Sequence, residues 1–203
     1  MSINVYTLIS IFILCIYMLS SRKLSMGIYD NDELYAFHQT PVSLCKDIIS
    51  NIEWKEGEKV LEPFAGTNGF YNNLPEEVIK YRCEIRDGID FRHFDYEGIR
   101  PETILTNPPF DLGENHTRKR KNDFYNILRF FAEKHYIKRI IFLCNAYCYN
   151  SLTAKRMLEL NSLNAYITKV TSVRIRKWHG AYYVLEIGRH YNPCFDYYLG
   201  NYE

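Results

Sequence analysis

The residues best suited to chemistry are four consecutive ones, Asn107, Pro108, Pro109 and Phe110, at the end of the apolar run ILT at 104–106. The asparagine side chain offers a carbonyl acceptor, Pro108 offers its backbone carbonyl, and neither proline brings a competing N–H. Two rigidly held acceptors beside an aromatic face can hold a planar amino group. Taken alone, the same four residues also fit a plain strand end with Phe110 packed in a core. A second candidate is VLEPFAGTNGF at 60–70, where Gly66 and Gly69 let the backbone turn sharply and approach a ligand closely. It lacks the full G-x-G-x-x-G pattern, so phosphate need not be its ligand.

Other residue classes narrow the chemistry. The cysteines (Cys15, Cys45, Cys83, Cys144, Cys148, Cys194) are scattered, with no C-x-x-C pair and no histidines at zinc-finger spacing. Neither a disulfide frame nor a metal site is indicated, and reduced, mostly buried thiols are expected. Cys144 and Cys148 are spaced to share a helix face. With 25 Lys and Arg against 24 Asp and Glu, the overall charge selects no partner, so local charge must decide. Arg118, Lys119, Arg120 and Lys121 lie in the basic run HTRKRK soon after the Asn-Pro-Pro-Phe tetrapeptide. Arg174, Arg176, Lys177 and Trp178 form a second basic and aromatic group. Either could meet nucleic-acid phosphates or bases; the alternative is a solvated surface.

The elements that must position these residues can be read from periodicity. HQTPVSLCKDIISNI at 38–52 reads as a helix start, with Thr40 as cap, Pro41 in the first turn, and Val42, Cys45, Ile48 and Ile49 at helical spacing. Strands are expected at 59–62, 81–85, 103–106 and 139–143, with an amphipathic helix at 123–135. Strands alternating with helices predict parallel β-α units in a layered α/β sheet. The last two strands, at 165–175 and 182–187, follow each other without a long helix between them and predict an antiparallel pair at one sheet edge. A length of 203 residues suits a single domain, assigned to 26–203.

Residues 1–25 stand apart. No charge occurs in 1–21, and LISIFILCIYML at 8–19 approaches the ~20 apolar residues that span a bilayer. Arg22 and Lys23 follow it, which would leave the rest of the chain in the cytosol. A cleavable signal peptide fits poorly, without a basic n-region or an A-x-A site. Two readings stand side by side: a membrane anchor through residues 3–19, or translation starting at Met26. Both leave the domain intracellular.

Three segments in order now acquire a common meaning. FHQTP at 37–41, VLEPFAGTNGF at 60–70 and NPPF at 107–110 resemble motifs of S-adenosylmethionine-dependent amino-methyltransferases, especially N6-adenine DNA methyltransferases with the gamma-class motif order. The resemblance covers 37–187. It implies a Rossmann-like class I methyltransferase fold, with a mostly parallel central sheet, helices on both faces and an antiparallel terminal strand pair. It further implies S-adenosylmethionine as cofactor and nucleic acid, chiefly DNA, as partner. Thr40 would lie near the cofactor's methionine carboxylate, with Glu62 and the backbone of Phe64, Ala65 and Gly66 around the methionine moiety. Glu84 would accept from the ribose hydroxyls, Asp90 from the adenine amino group, and Phe91 would pack on the ring. Asn107 and Pro108 would hold N6 of an adenine flipped from the duplex and stacked on Phe110, with Pro109 stiffening the turn. At 203 residues the chain is expected to depart from sequence-specific relatives in holding no separate recognition domain, which argues against a defined target site. The tetrapeptide pattern also occurs in enzymes acting on RNA bases or protein glutamine. A non-catalytic binding module of the same fold is the reading from another class.

Overall fold

Short apolar runs such as VL at 60–61 and IIFL at 140–143 lack polar alternation, the pattern of strands covered on both faces. The computed structural model describes residues 28–29, 39–109, 112, 123–175 and 181–191. The described strands are β1 (Ile28–Tyr29), β2 (Lys59–Glu62), β3 (Ile79–Arg82), β4 (Thr103–Thr106), β5 (Arg139–Asn145), β6 (Tyr166–Ile175) and β7 (Tyr182–Gly188). They form one sheet in the order β1-β6-β7-β5-β4-β2-β3. Strands β3, β2, β4 and β5 are parallel, whereas β7 runs antiparallel to both β5 and β6. The described helices are α1 (Val42–Ser50), α2 (Tyr96–Ile99), α3 (Phe124–Ala132), α4 (Ala146–Asn150) and α5 (Ala154–Ser162).

Alternation along the strands divides the core in two. Val60, Leu105, Ile141 and Leu143 pack with Leu44, Cys45, Ile48 and Ile49 of α1. Leu61, Ile104, Ile140 and Phe142 pack with Phe124, Ile127, Leu128 and Phe131 of α3 and Leu160 of α5. Helices therefore cover both faces. Each fully buried side chain of this size contributes about 1.5–3 kcal/mol. The mostly parallel sheet and the antiparallel terminal pair agree with the expectation from sequence, except that β1 lies outside β6 and takes the sheet edge.

Four local expectations are corrected. Thr40 does not cap α1: Pro41, extended at φ −54° and ψ 135°, occupies the cap position, and no side chain caps the helix there. β3 ends at Arg82 because Glu84 turns the chain, its side chain accepting from the Arg86 backbone to cap a single 3-10 turn at Ile85–Asp87. α3 stops at Ala132, short of His135, where Arg189 takes up the Ala132 carbonyl. Cys144 and Cys148 share no helix, since Cys144 ends in β5 and Cys148 lies in α4. The apolar run 3–19 and the basic run 116–121 lie outside the described residues. Among the described residues, no helix is long and apolar enough to cross a membrane.

Candidate active site

Three adjacent parallel strands deliver the site. The order β4-β2-β3 places the carboxyl ends of these strands side by side, and Glu62, Glu84 and Asn107 lie at or just beyond those ends. This is the edge where open α/β sheets bind ligands. A cavity of about 580 Å³ opens there, within the range of about 300–1,000 Å³ usual for small-molecule sites. Thr40, Glu62, Phe64, Ala65, Gly66, Glu84, Asp90, Phe91, Asn107, Pro108 and Pro109 all line it. Phe110, Arg118, Lys119, Arg120 and Lys121 lie outside the described residues.

The loop after β2 is held by both its own backbone and distant side chains. Ala65 N–H donates to the Cys83 carbonyl at 3.0 Å, and Cys83 N–H donates to the Glu62 carbonyl at 2.9 Å. Gly66 adopts φ +53° and gives its N–H to Glu84 Oε2 at 2.6 Å. Gln39 accepts at Oε1 from both the backbone N–H and the hydroxyl of Thr67, each at 3.1 Å. Glycine is favoured here by φ; a Cβ would also stand 2.5 Å from that Gln39 oxygen, at the end of a flexible side chain that would have to swing off Thr67 to make room. Sequence pattern alone does not mark Gln39 as a loop anchor. Its only signal there is that it precedes Thr40, and its partner stands 28 positions away.

The carboxylates are not alike. Glu62 is 2% exposed, accepts from Tyr71 N–H at 2.7 Å, and is pushed up to about 8 by burial, against the pull of the Tyr71 and Phe70 N–H groups. Burial also opposes ionisation of Glu84, but the Arg86 side chain and backbone, with Gly66, hold it below the ordinary value. Those contacts take up much of its accepting capacity. Asp90 is gripped by the Arg92 guanidinium, which with the Arg92 backbone N–H holds its carboxyl at about 2 despite some burial. Arg92 reaches both Asp90 oxygens, so an amino group arriving at Asp90 would compete with it.

Apolar surfaces complete the cavity. Phe91 lies 4.7 Å from Phe64 between ring centroids and 5.3 Å from Phe130, which makes it part of the core as well as of the wall. Ile85 and Ile89 stand exposed at the rim. Beneath Asn107, its Nδ2 donates to Thr40 Oγ1 at 3.3 Å, joining the segment before α1 to the tetrapeptide. Cys45, Cys83, Cys144 and Cys148 are free and buried. Burial pushes all four thiols up, Cys83 to about 11 and Cys148 to about 12, which disqualifies them as nucleophiles at neutral pH.

No protein-family model matches the chain, and no curated protein matches it significantly. Solved structures do resemble it. Precorrin-6y C5,15-methyltransferase from Geobacter metallireducens superposes with a TM-score of 0.51 at 12% identity, covering 80% of this chain and 94% of that one. A candidate RNA methyltransferase from Pyrococcus horikoshii gives 0.42 at 15% identity, covering 86% and 96%. The N-terminal domain of human METTL16 gives 0.38 at 12% identity, covering 74% and 69%. The first of these likenesses, together with the sheet order, defines a Rossmann-like methyltransferase fold.

Proposed function

We propose that the chain is an S-adenosylmethionine-dependent methyltransferase that modifies an exocyclic amino group, N6 of adenine in DNA being the leading substrate. One observation carries the reading: a single cavity is lined by Thr40, by the loop at 62–70 and by Asn107, Pro108 and Pro109, the three segments that resemble the family's motifs. The donor set fits the cofactor. The Thr40 hydroxyl suits its carboxylate, Glu62 its ammonium, Glu84 its ribose, and Phe64, Ile85, Ile89 and Phe91 its adenine. When bound, the cofactor supplies an electrophilic methyl on a sulfonium, and the C–S electron pair stays with sulfur on transfer.

The chain's own residues would do the rest by positioning. The Asn107 side-chain carbonyl and the Pro108 backbone carbonyl accept the two N–H groups of the target amine. This aims the nitrogen lone pair along the normal to the amine plane, toward the methyl. The lone pair forms the new N–C bond, and the nitrogen sheds a proton to solvent. Holding both reactants in line is worth up to ~7–11 kcal/mol of the barrier, which leaves no need for a covalent enzyme intermediate.

The test is incubation of the full chain with labelled S-adenosylmethionine and unmethylated duplex DNA, with Asn107→Ala alongside, followed by nucleoside mass spectrometry. N6-methyladenine formed by the wild type and reduced to a small residual rate in Asn107→Ala is the expected result. Cofactor binding without label in DNA would overturn the substrate assignment, and the same assay on RNA and glutamine peptides would then replace it. Cofactor binding without transfer to any of the three would favour a binding module.

A further inference from the structure

Thr40 and Asn107 are 67 positions apart, yet the Asn107 amide donates to the Thr40 hydroxyl at 3.3 Å. A primary amide has one donor end and one acceptor end, so engaging Nδ2 fixes which way Oδ1 turns. Reversing the amide would oblige the Thr40 hydroxyl to donate to its carbonyl oxygen, using the one proton that hydroxyl can otherwise give to a bound anion, and would turn NH₂ toward the place of the amine. Two N–H groups would then face each other.

Neighbouring contacts keep the Thr40 hydroxyl in place. Gln39, the residue before it, holds Thr67 of the cofactor loop through two hydrogen bonds of 3.1 Å. The carbonyl of Pro41, the residue after it, accepts from Cys45 N–H at 3.0 Å and opens α1. Thr40 therefore sits on a short bridge between the helix, the loop and the tetrapeptide. A threonine hydroxyl can accept from Asn107 and still has its own proton to donate.

We propose that Thr40 is a positioning residue for methyl transfer: its hydroxyl orients the Asn107 amide with the carbonyl toward the target amine. Its remaining proton links that orientation to an anionic group of the bound cofactor. The inference rests on the amino-methyltransferase reading. It assigns Thr40 a part in the rate as well as in cofactor affinity.

The experiment uses the full chain in five forms: wild type, Thr40→Val, Thr40→Ser, Asn107→Ala, and Thr40→Val combined with Asn107→Ala. Exchange of the Asn107 side-chain amide protons, read by NMR without cofactor or substrate, should be slow in wild type, fast in Thr40→Val and slow again in Thr40→Ser. Single-turnover transfer at saturating cofactor should fall about 10- to 100-fold in Thr40→Val, the scale of a small misplacement of a reacting group. Thr40→Ser should recover most of it. In the Asn107→Ala background, Thr40→Val should cost little more, because the two residues act as one unit. A loss confined to cofactor affinity, equal losses in both backgrounds, or unchanged amide exchange would each overturn the proposal. Should Thr40→Val fail to fold, Thr40→Ser and Thr40→Ala are read by the same exchange and rate measurements. Wild type that protects the Asn107 amide but transfers no methyl to any amine would sink the amino-methyltransferase reading and leave the contact standing.

Discussion

At Gly66 the chain needs a left-handed φ of +53°, and the mobile end of Gln39 lies 2.5 Å from where a Cβ would be. Gly66→Ala should therefore cost about 1–2 kcal/mol from backbone conformation alone. It should also push Gln39 off Thr67 and loosen the loop. Thermal denaturation with and without S-adenosylmethionine would show a lowered midpoint and a smaller ligand-induced rise; an unchanged pair of curves would refute the close-approach argument. Glu62 gives a prediction in pH. Its folded value of about 8, against 4.5 ordinarily, means that the folded chain keeps a proton the unfolded chain has released between those values. Stability attributable to Glu62 should thus fall as pH rises through that window, and the penalty should be absent below it. Denaturant titrations across the window should show that slope in wild type and a flatter one in Glu62→Gln, which keeps an acceptor for Tyr71 N–H. If Glu62 pairs with the cofactor's ammonium, binding releases a proton and affinity rises with pH up to about 8. Calorimetry in buffers of different ionisation enthalpy reads that proton directly. Among these residues, what the sequence reveals is what local backbone chemistry demands: glycine at the tight loop, and asparagine and prolines at the strand end. Glu84 with Arg86 and Asp90 with Arg92 repeat an acid-x-Arg spacing in which the acid caps a turn and its arginine folds back. That pattern is local and can be read from the sequence. The role of Gln39 is not local, since it depends on Thr67 lying beside it.

Helix ends are where element-scale energetics gather. Arg189, just past β7, sends Nε to the Ile137 carbonyl at 2.5 Å, Nη1 to those of Ala132 and Leu163 at 2.9 and 3.0 Å, and Nη2 to that of Lys134 at 2.6 Å. One guanidinium thus ties the chain ends after α3 and α5 to the sheet, where carbonyls left by helices favour a cation. Arg189→Met should destabilise the fold by about 1.5–3 kcal/mol, the scale of hydrogen bonds to a charged group. Arg189→Lys should recover little, because a point ammonium cannot reproduce the planar fork. Urea midpoints for the three proteins would decide; a lysine variant as stable as wild type would mean that charge alone suffices. The same contact explains why the amphipathic pattern at 123–135 overstates α3. Periodicity sees the apolar face, while the carbonyls at the end are taken up by an arginine far along the chain. Strands 59–62 and 103–106 were legible residue by residue, since unbroken apolar pairs such as Val60–Leu61 and Ile104–Leu105 must be covered on both sides. β3 was displaced because its residues are only partly buried and its pattern is weak. The short helices α2 and α4 carry too few turns for any period to register.

Across the whole molecule charge is nearly balanced, at +1 for 203 residues, so a polyanion finds no long-range attraction from the total. Binding to nucleic acid has to come from a local concentration of cations. The densest such segment is Arg118, Lys119, Arg120 and Lys121, which in sequence closely follows Pro109 on the cavity wall. Each phosphate contact that such residues make releases counterions. It adds about 0.9 to the slope of log affinity against log salt on duplex DNA, or about 0.7 on a single strand. Replacing the four residues by glutamine should flatten that slope by as much as about 3.6 on duplex, and by proportionally less on a single strand. Cofactor affinity, set inside the cavity, should stay as it was. The slopes on the two substrates also indicate which form the segment engages, because only a duplex gives the larger increment per contact. An unchanged slope on both, with methyl transfer intact, would make the run a solvated surface. Substrate contact would then fall to Arg174, near the end of β6, and the basic residues that follow it in sequence, where the same titration on an Arg174→Gln variant would find it.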